Sequence, residues 1–392
     1  MKHAPLRIAQ VVEATLAGVG RHVLDVTGGL LRQNQPAEPY DIHLLHSLRR
    51  ADARYRARLQ PLIPHIRVGD IRMEREIRPL ADTRSVVALT RYLRQHGPFD
   101  VVHVHSSKAA AVGGVAARLA GARRIVYTPH AFVSAGTTGR RRAMYLALER
   151  VCGHLAHRVV AVSQDEYAYA CTNRIVSSER LSVVPNRVEL PDLNRHPADR
   201  ARLRQEWGLA ESTRLVGSIG RLSAQKDPLL FVEVAARRAQ RYPSSEEQYV
   251  IVGDGELMPD VRAAIDRAGL HQRMIVAGFR TDMDAVYACL DVFVLHSRYE
   301  GMPYTVLEAM GHARPVVATR VSGIAELLGN NGNSLIVAPG SADELDAALE
   351  HLVDPGTRQE SGHQHRARLE QHYPLEAMID RLLEVYQGTG ES

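Results

Sequence analysis

Apolar positions in this chain fall into short runs rich in Val, Ile and Leu, each followed by a longer stretch of helical spacing. A short apolar run bounded by polar residues reads as a buried strand. Apolar residues recurring every three or four positions read as an amphipathic helix. In the first half this gives strands at 7–12, 41–46, 101–105, 124–128 and 158–162, with helices at 20–33, 83–96, 108–119 and 139–155 between them. A strand at 182–184 closes that half. The second half repeats the scheme, with strands at 215–219, 249–252, 274–277, 292–295, 315–318 and 335–337 and helices at 228–241, 257–268, 284–290, 303–312 and 342–352. A last helix, 375–386, follows Pro374. Such alternation predicts an α/β fold with parallel sheets covered on both faces. At 392 residues the chain is too long for one ordinary core. The segment 185–197 holds three prolines and few apolar residues, which marks a boundary. The expected domains are 1–185 and 198–374, joined by a linker at 186–197. Two Rossmann-like sheets facing each other leave a cleft at the carboxyl ends of their strands, where ligands bind.

The most informative stretch is Glu300 to Gly311, EGMPYTVLEAMG, directly after the strand at 292–295. It combines a turn containing Gly301 and Pro303 with the start of a helix. Unpaired backbone N–H groups and the helix dipole make such a start an anion cradle. Glu300 and Glu308 bracket it, with seven residues between them. A carboxylate repels phosphate but accepts well from sugar hydroxyls, so cradle and carboxylates together suit a nucleotide sugar. The same residues also occur in plain strand-to-helix turns.

Four further stretches carry candidate chemistry. Leu16 to Arg21 follows the first strand, and Gly18, Val19 and Gly20 there allow close backbone approach to a ligand or form a simple turn. In the segment VHSSK, Ser106 and Ser107 are good helix caps, while His105, Ser106 and Lys108 could contact an acceptor or a phosphate. His130 follows a strand end and Pro129, which aims it into the expected cleft. Ser163, after the next strand, reads as a helix cap. Arg221 and Lys226 stand in the loop after the first strand of the second half, where two cations could neutralise a departing diphosphate. Asp282-Met283-Asp284 has the spacing of a metal motif, but it opens a predicted helix, where acidic residues favour the dipole. The run from Gly253 to Glu256 reads as a turn before an acidic helix start.

Composition narrows the classes. Hydrophobic residues make up 45%, which suits a globular chain and excludes a disordered one. Cys152, Cys171 and Cys289 form no C-x-x-C pair, so a reducing compartment without disulfides is expected. Arg7, Gln10 and Glu13 interrupt any signal-peptide core. The longest apolar candidate, 109–122, is too short to span a bilayer and carries Arg118. These points predict a cytoplasmic protein. The net charge of +5 hides an asymmetry: residues 1–195 hold 29 Lys+Arg against 16 Asp+Glu, and the remainder 20 against 28. A basic first half suggests an anionic surface as partner. No nucleic-acid motif accompanies the charge, so nucleic acid is not expected. Arg49, Arg50, Arg54, Arg56, Arg58, Arg67, Arg72, Arg75 and Arg78 concentrate it, and Arg50, Arg54 and Arg58 would share one face of a helix.

The segment SRYEGMPYTVLEAMGHARPVVAT resembles the Glu-x7-Glu signature of the retaining glycosyltransferases of family 4, which have the GT-B fold. The other stretches follow in the family's order, and the likeness covers nearly the whole chain. The resemblance implies that Arg221, Lys226 and the turn of Gly301, Met302, Pro303, Tyr304 and Thr305 hold the donor diphosphate. It gives Glu308 the ribose, Glu300 the donor sugar, and the backbone of Gly278, Phe279 and Arg280 the base. His130 matches the family's active-site histidine, and Gly18, Val19 and Gly20 its glycine-rich loop. The last helix is expected to cross back to the first domain. The implied reaction moves a sugar, with retention, from a UDP-linked donor to a glycan, on a lipid carrier at an anionic membrane face. No essential metal or other cofactor is expected. Two alternatives stay open, a nucleotide-sugar 2-epimerase of the same fold and a non-catalytic nucleotide-sugar-binding protein. The chain departs from the family pattern at Ala17, Arg187, Ser322 and Asn333, where glycine is more usual.

Overall fold

The computed structural model describes residues 5–34, 40–74, 76–329 and 335–389. The chain divides into two compact units, residues up to Asn186 together with those from Leu375, and Arg187–Pro374.

Unit 1 runs β1 (Leu6–Val12), α1 (Ala17–Gln33), β2 (Tyr40–His46), α2 (Ala53–Leu59), β3 (Arg67–Asp70), α3 (Pro79–His96), β4 (Val101–His105), α4 (Ser106–Ala120), β5 (Arg124–Thr128), α5 (Gly139–Leu155), β6 (Arg158–Ala161), α6 (Gln164–Thr172) and β7 (Leu181–Val183). Its seven strands lie in the order β3-β2-β1-β4-β5-β6-β7, with every pairing parallel. A parallel sheet is buried on both faces, and β4 is accordingly buried at all five positions. One face packs on α3, α4 and α5 through residues such as Leu89, Ala116 and Cys152.

Unit 2 runs α7 (His196–Glu206), β8 (Leu215–Ile219), α8 (Pro228–Arg241), β9 (Gln248–Val252), α9 (Met258–Ala268), β10 (Met274–Gly278), α10 (Met283–Cys289), β11 (Val292–Leu295), α11 (Tyr304–Gly311), β12 (Val316–Thr319), α12 (Ile324–Leu328), β13 (Ile336–Val337), α13 (Ala342–His351) and α14 (Pro355–His372). Its six strands lie in the order β10-β9-β8-β11-β12-β13, again all parallel. In both sheets the strand order reverses beside the first strand of the unit, which is the switch point where α/β proteins bind ligands.

The last helix, α15 (Leu375–Gln387), belongs to unit 1. Leu375, Met378, Ile379, Leu382, Val385 and Tyr386 complete a buried cluster with Ile8, Val26, Leu30 and Val101. Gly29 of α1 makes this approach possible. A Cβ there would lie 2.5 Å from Cγ1 and Cδ1 of Ile379.

Several elements escape the periodicity. β3 carries a single large apolar residue, Val68, and lies exposed at the sheet edge. α14 buries only Gly362 and Leu369 over 18 residues, so it has no apolar stripe to read. The expected linker 186–197 is partly helical, because a 3-10 turn (Leu193–Arg195) leads straight into α7. The expected single face of Arg50, Arg54 and Arg58 does not form either. Arg50 ends a separate 3-10 turn, and Asp52 caps α2 by accepting from Tyr55 N. Arg58 is paired with Asp25 at 2.5 Å, and Arg49 and Arg78 both reach Glu74. Arg75 lies outside the described residues. No helix among the described residues is long and apolar enough to cross a membrane.

Candidate functional site

In unit 2, β11 delivers the chain to His296, Ser297 and Glu300, and α11 starts after Pro303. Lys226 Nζ lies 2.5 Å from Glu300 Oε1, and Ser297 Oγ donates to the same oxygen at 2.6 Å. Cation and carboxylate are thus one group, with side chains 21% and 9% exposed. The loop carrying Lys226 is clamped to the 296–300 segment from several sides. His296 Nδ1 donates to Lys226 O, while Ser218 Oγ meets His296 Nε2 at 2.6 Å. Arg298 N donates to Gln225 O, Gln225 Nε2 to Tyr299 O, and Arg298 Nε to Asp227 Oδ2. Burial holds the His296 imidazole neutral, at about 4, against donation to Lys226 O, which raises it. Arg221 opens the same loop, whose backbone is tied to the end of β9 and the turn after it by Gly220 N to Val252 O and Leu222 N to Asp254 O.

The 301–305 turn is buried from Gly301 to Tyr304. Gly323, at φ 79, packs beneath it, and a Cβ there would sit 2.8 Å from Gly301 O. That position needs glycine on both counts. Ser322 does not take a positive φ, so serine there carries no left-handed backbone strain. Asn333 lies outside the described residues. Glu308 is buried, and Tyr287 donates to its Oε2 at 2.7 Å.

Gly278 takes φ 66 and Phe279 is 47% exposed. Arg280 lies over Trp207 and pairs with Glu206 and Asp282. Asp282 is also held by Arg202, and these donors keep its carboxyl at about 2. Of the Asp-x-Asp pair, Asp282 is thus turned to protein partners, while Asp284 lies 3.3 Å from His312 with its side chain 82% exposed.

In unit 1 the switch point gathers histidines. His103 and His105 come from β4, His22 from α1, and His130 from the segment after β5. His105 Nε2 meets Gln10 Oε1 at 2.7 Å, and an amide oxygen only accepts, so His105 carries its proton on Nε2. Its Nδ1 then accepts from His130 Nε2 at 3.2 Å. Gln10 Nε2 donates to Tyr386 OH, which donates to His103 Nδ1 at 2.7 Å, and His103 Nε2 donates to Thr128 Oγ1. His22 Nδ1 donates to Asn186 Oδ1 at 3.1 Å. Burial depresses all four imidazoles, His22 to about 4 and the others well below the ordinary range. They act as neutral donors and acceptors. His130 and Ala131 sit at φ 60 and 129, where L residues are strained. The buried Glu166 carboxyl accepts from the backbone N–H groups of Val162 and Ala131 and so braces that strained turn.

Two family models match the chain. Glycosyltransferase Family 4 covers residues 16–190, and Glycosyl transferases group 1 covers residues 213–354. The chain belongs to the family 4, group 1 glycosyltransferases. It is 28% identical over 318 residues to UDP-Gal:alpha-D-GlcNAc-diphosphoundecaprenol alpha-1,3-galactosyltransferase of Escherichia coli, covering 80% of this chain and 81% of that one. It is also 28% identical over 277 residues to 2-deoxystreptamine glucosyltransferase of Streptomyces kanamyceticus, covering 67% and 70%. Anabaena HepE in complex with UDP-glucose matches at a TM-score of 0.79 and 23% identity, over 97% of this chain and 99% of that one. Sucrose-phosphate synthase of Thermosynechococcus elongatus matches at 0.80 and 18% over 98% of both. The fold of this glycosyltransferase is therefore GT-B.

Some expected residues fall elsewhere in the glycosyltransferase. Lys108 Nζ is committed to Asp82 at 2.5 and 2.6 Å and to Glu76 O, so its charge is spent inside unit 1. Ser106 does not cap α4. It is the first helical residue, at φ 74, and the cap position is His105. Gly18, Val19 and Gly20 form the first turn of α1 rather than a loop before it, and Ala17 takes φ 58, the conformation for which glycine is usual. Ser163 caps α6 as expected, accepting from Glu166 N. Sequence reasoning passed over Gln10, His22, Ser297 and Tyr287. Gln10 was the one with a signal, an uncharged polar residue inside the apolar run IAQVV.

Proposed function

We propose that this glycosyltransferase moves a sugar, with retention, from a UDP-linked donor to a glycan acceptor, a lipid-linked saccharide of cell-surface polysaccharide synthesis. The observation that carries it is the Lys226–Glu300–Ser297 group beside the start of α11. Lys226, with Arg221 and the amides of the 301–305 turn, is placed to take up charge on a leaving diphosphate, the main demand of the transition state. Glu300 accepts from donor-sugar hydroxyls and Glu308 from the ribose, while Gly278, Phe279 and Arg280 border the base. His130 serves the reacting sugar or the acceptor, as a neutral imidazole. Attack comes from the face that the leaving group vacates, and its phosphate oxygen receives the acceptor proton. No side chain is assigned as a covalent nucleophile. The named donor and diphosphoundecaprenol-linked acceptor of the E. coli relative support this substrate class.

Peripheral binding at an anionic membrane belongs to the same reading. It rests on α3 rather than on the 50–58 segment. Leu80 and Val87 are 81% and 53% exposed, seven residues apart on one helical face, and the exposed Arg84 and Arg91 share it.

The test offers UDP-glucose, UDP-galactose, UDP-N-acetylglucosamine and GDP-mannose, each with and without an undecaprenyl-diphosphate saccharide, and follows nucleotide release. Release that needs the acceptor, with an α-linked product from an α-linked donor, is the expected result. Donor consumption without acceptor means the epimerase. Binding without turnover means a non-catalytic protein.

A further inference from the structure

One ring nitrogen from each of His22, His105 and His130 lies within 4.8 Å of the other two. Nitrogens bound to a tetrahedral metal at 2.0–2.1 Å stand about 3.4 Å apart. His105 Nδ1 and His130 Nε2 are already at 3.2 Å. The orientation of the rings matters more than the spacing. Asn186 Oδ1 takes the Nδ1 proton of His22, which puts the His22 lone pair on Nε2. Gln10 Oε1 takes the Nε2 proton of His105, which puts that lone pair on Nδ1, the nitrogen facing His130. Two of the three imidazoles, His22 and His105, thus have an oxygen acceptor behind them, the arrangement that fixes tautomer and ring angle in metal–histidine sites. The Gln10 amide is itself fixed, because its nitrogen donates to Tyr386 OH. The rings crowd each other, with His22 edge-on to His130 at 4.6 Å between centroids.

We propose that His22, His105 and His130 form a three-histidine site for a borderline divalent cation of the zinc class, with a fourth position left for water or an oxygen ligand. Neutral imidazoles select zinc, cobalt, nickel or copper over magnesium and calcium, which require oxygen ligands. On binding, the His130 Nε2 proton that bridges to His105 is given up to solvent and one is taken up at Nδ1. The ring stays neutral and turns a lone pair to the metal. The site stands on unit 1 alone. It shares His130 with the transferase reading, so metal bound there competes with the role of that ring toward sugar or acceptor.

The experiment titrates the full chain with Zn2+ against a chromophoric chelator, and separately with Co2+ under visible absorption. One tight equivalent per chain, with the intense bands of tetrahedral cobalt, is expected. His22→Gln and His105→Gln should each weaken Zn2+ binding at least tenfold. Asn186→Ala, which leaves all three imidazoles in place, should weaken it about 10- to 100-fold. Melting curves without metal identify the variants that keep the parent fold, and the comparison uses those. No stoichiometric equivalent, octahedral cobalt only, or unchanged affinity in the folded variants overturns the site. That last outcome assigns the metal to surface histidines among the chain's 19.

Discussion

Lys226 and Glu300, 74 residues apart in the chain, share one short ion pair at 2.5 Å. The cation proposed for the diphosphate and the carboxylate proposed for the sugar therefore hold each other in place. Lys226→Ala removes a charge-assisted contact worth roughly 1.5–3 kcal/mol and leaves a mostly buried carboxylate without its partner. Turnover should fall at least tenfold, and Arg221→Ala should do the same. Because the pair acts as a unit, Lys226→Ala and Glu300→Gln should combine less than additively in kcat/KM. Parent-like turnover by both Lys226→Ala and Arg221→Ala overturns the diphosphate assignment.

Chelation separates two kinds of metal dependence. Excess EDTA should leave most activity, since Arg221, Lys226 and the start of α11 are proposed to meet the phosphate charge. Complete loss restored by Mg2+ or Mn2+ would return Asp282 and Asp284 as ligands. Loss restored only by Zn2+ would give the three histidines a part in turnover.

Glu166 supplies a pH signature. Burial raises its carboxyl from 4.5 to about 7, against the Val162 and Ala131 N–H groups that lower it. The folded chain thus holds this proton more tightly than the unfolded chain. Stability from this group is full below about 4.5, declines as pH rises to about 7, and stays at its lower level above. Glu166→Gln cannot ionise. Relative to the parent it should gain on the order of 3 kcal/mol between pH 4.5 and 8. Urea melts at those two pH values check this, and an equal difference between the proteins at both contradicts it.

Gly29→Val sets a branched side chain against Ile379 and should cost about 1–3 kcal/mol in chemical denaturation. Gly28→Ala is the control, because its Cβ would meet nothing nearer than 3.7 Å. Equal effects would mean that helix propensity, not the α1–α15 approach, sets the cost.

Vesicle flotation tests the membrane reading. Anionic vesicles should carry the protein at low salt and release it as salt rises, since exposed charges are screened beyond about 8 Å at physiological ionic strength. Leu80→Glu with Val87→Glu should abolish the recovery. Equal recovery on neutral and anionic lipid at low salt refutes membrane binding and leaves the transferase reading standing.

The sequence was most readable where burial is local and continuous. β4, β5, β8 and β11 end where the apolar runs end. α14 was invisible because its 18 residues bury almost nothing. In the candidate site, Arg221, Lys226, Glu300 and Glu308 stand out through the 220–228 and 300–311 motifs. Their supports do not. Ser297 and His296 look like ordinary strand-end residues until the fold brings Lys226 alongside. Gln10, His105 and Tyr386 form one network only because β1, β4 and α15 meet, and a 376-residue separation leaves no local trace.

The place of α15 has a consequence for synthesis. The face of unit 1 made by Ile8, Val26, Leu30 and Val101 is covered by residues 375–386. While a ribosome is still translating unit 2, that face has no cover, and Gln10 and His103 lack the Tyr386 hydroxyl. The first unit begun is thus the last one finished. A chain stalled after residue 374 should expose that apolar face to chaperones even with unit 2 fully folded.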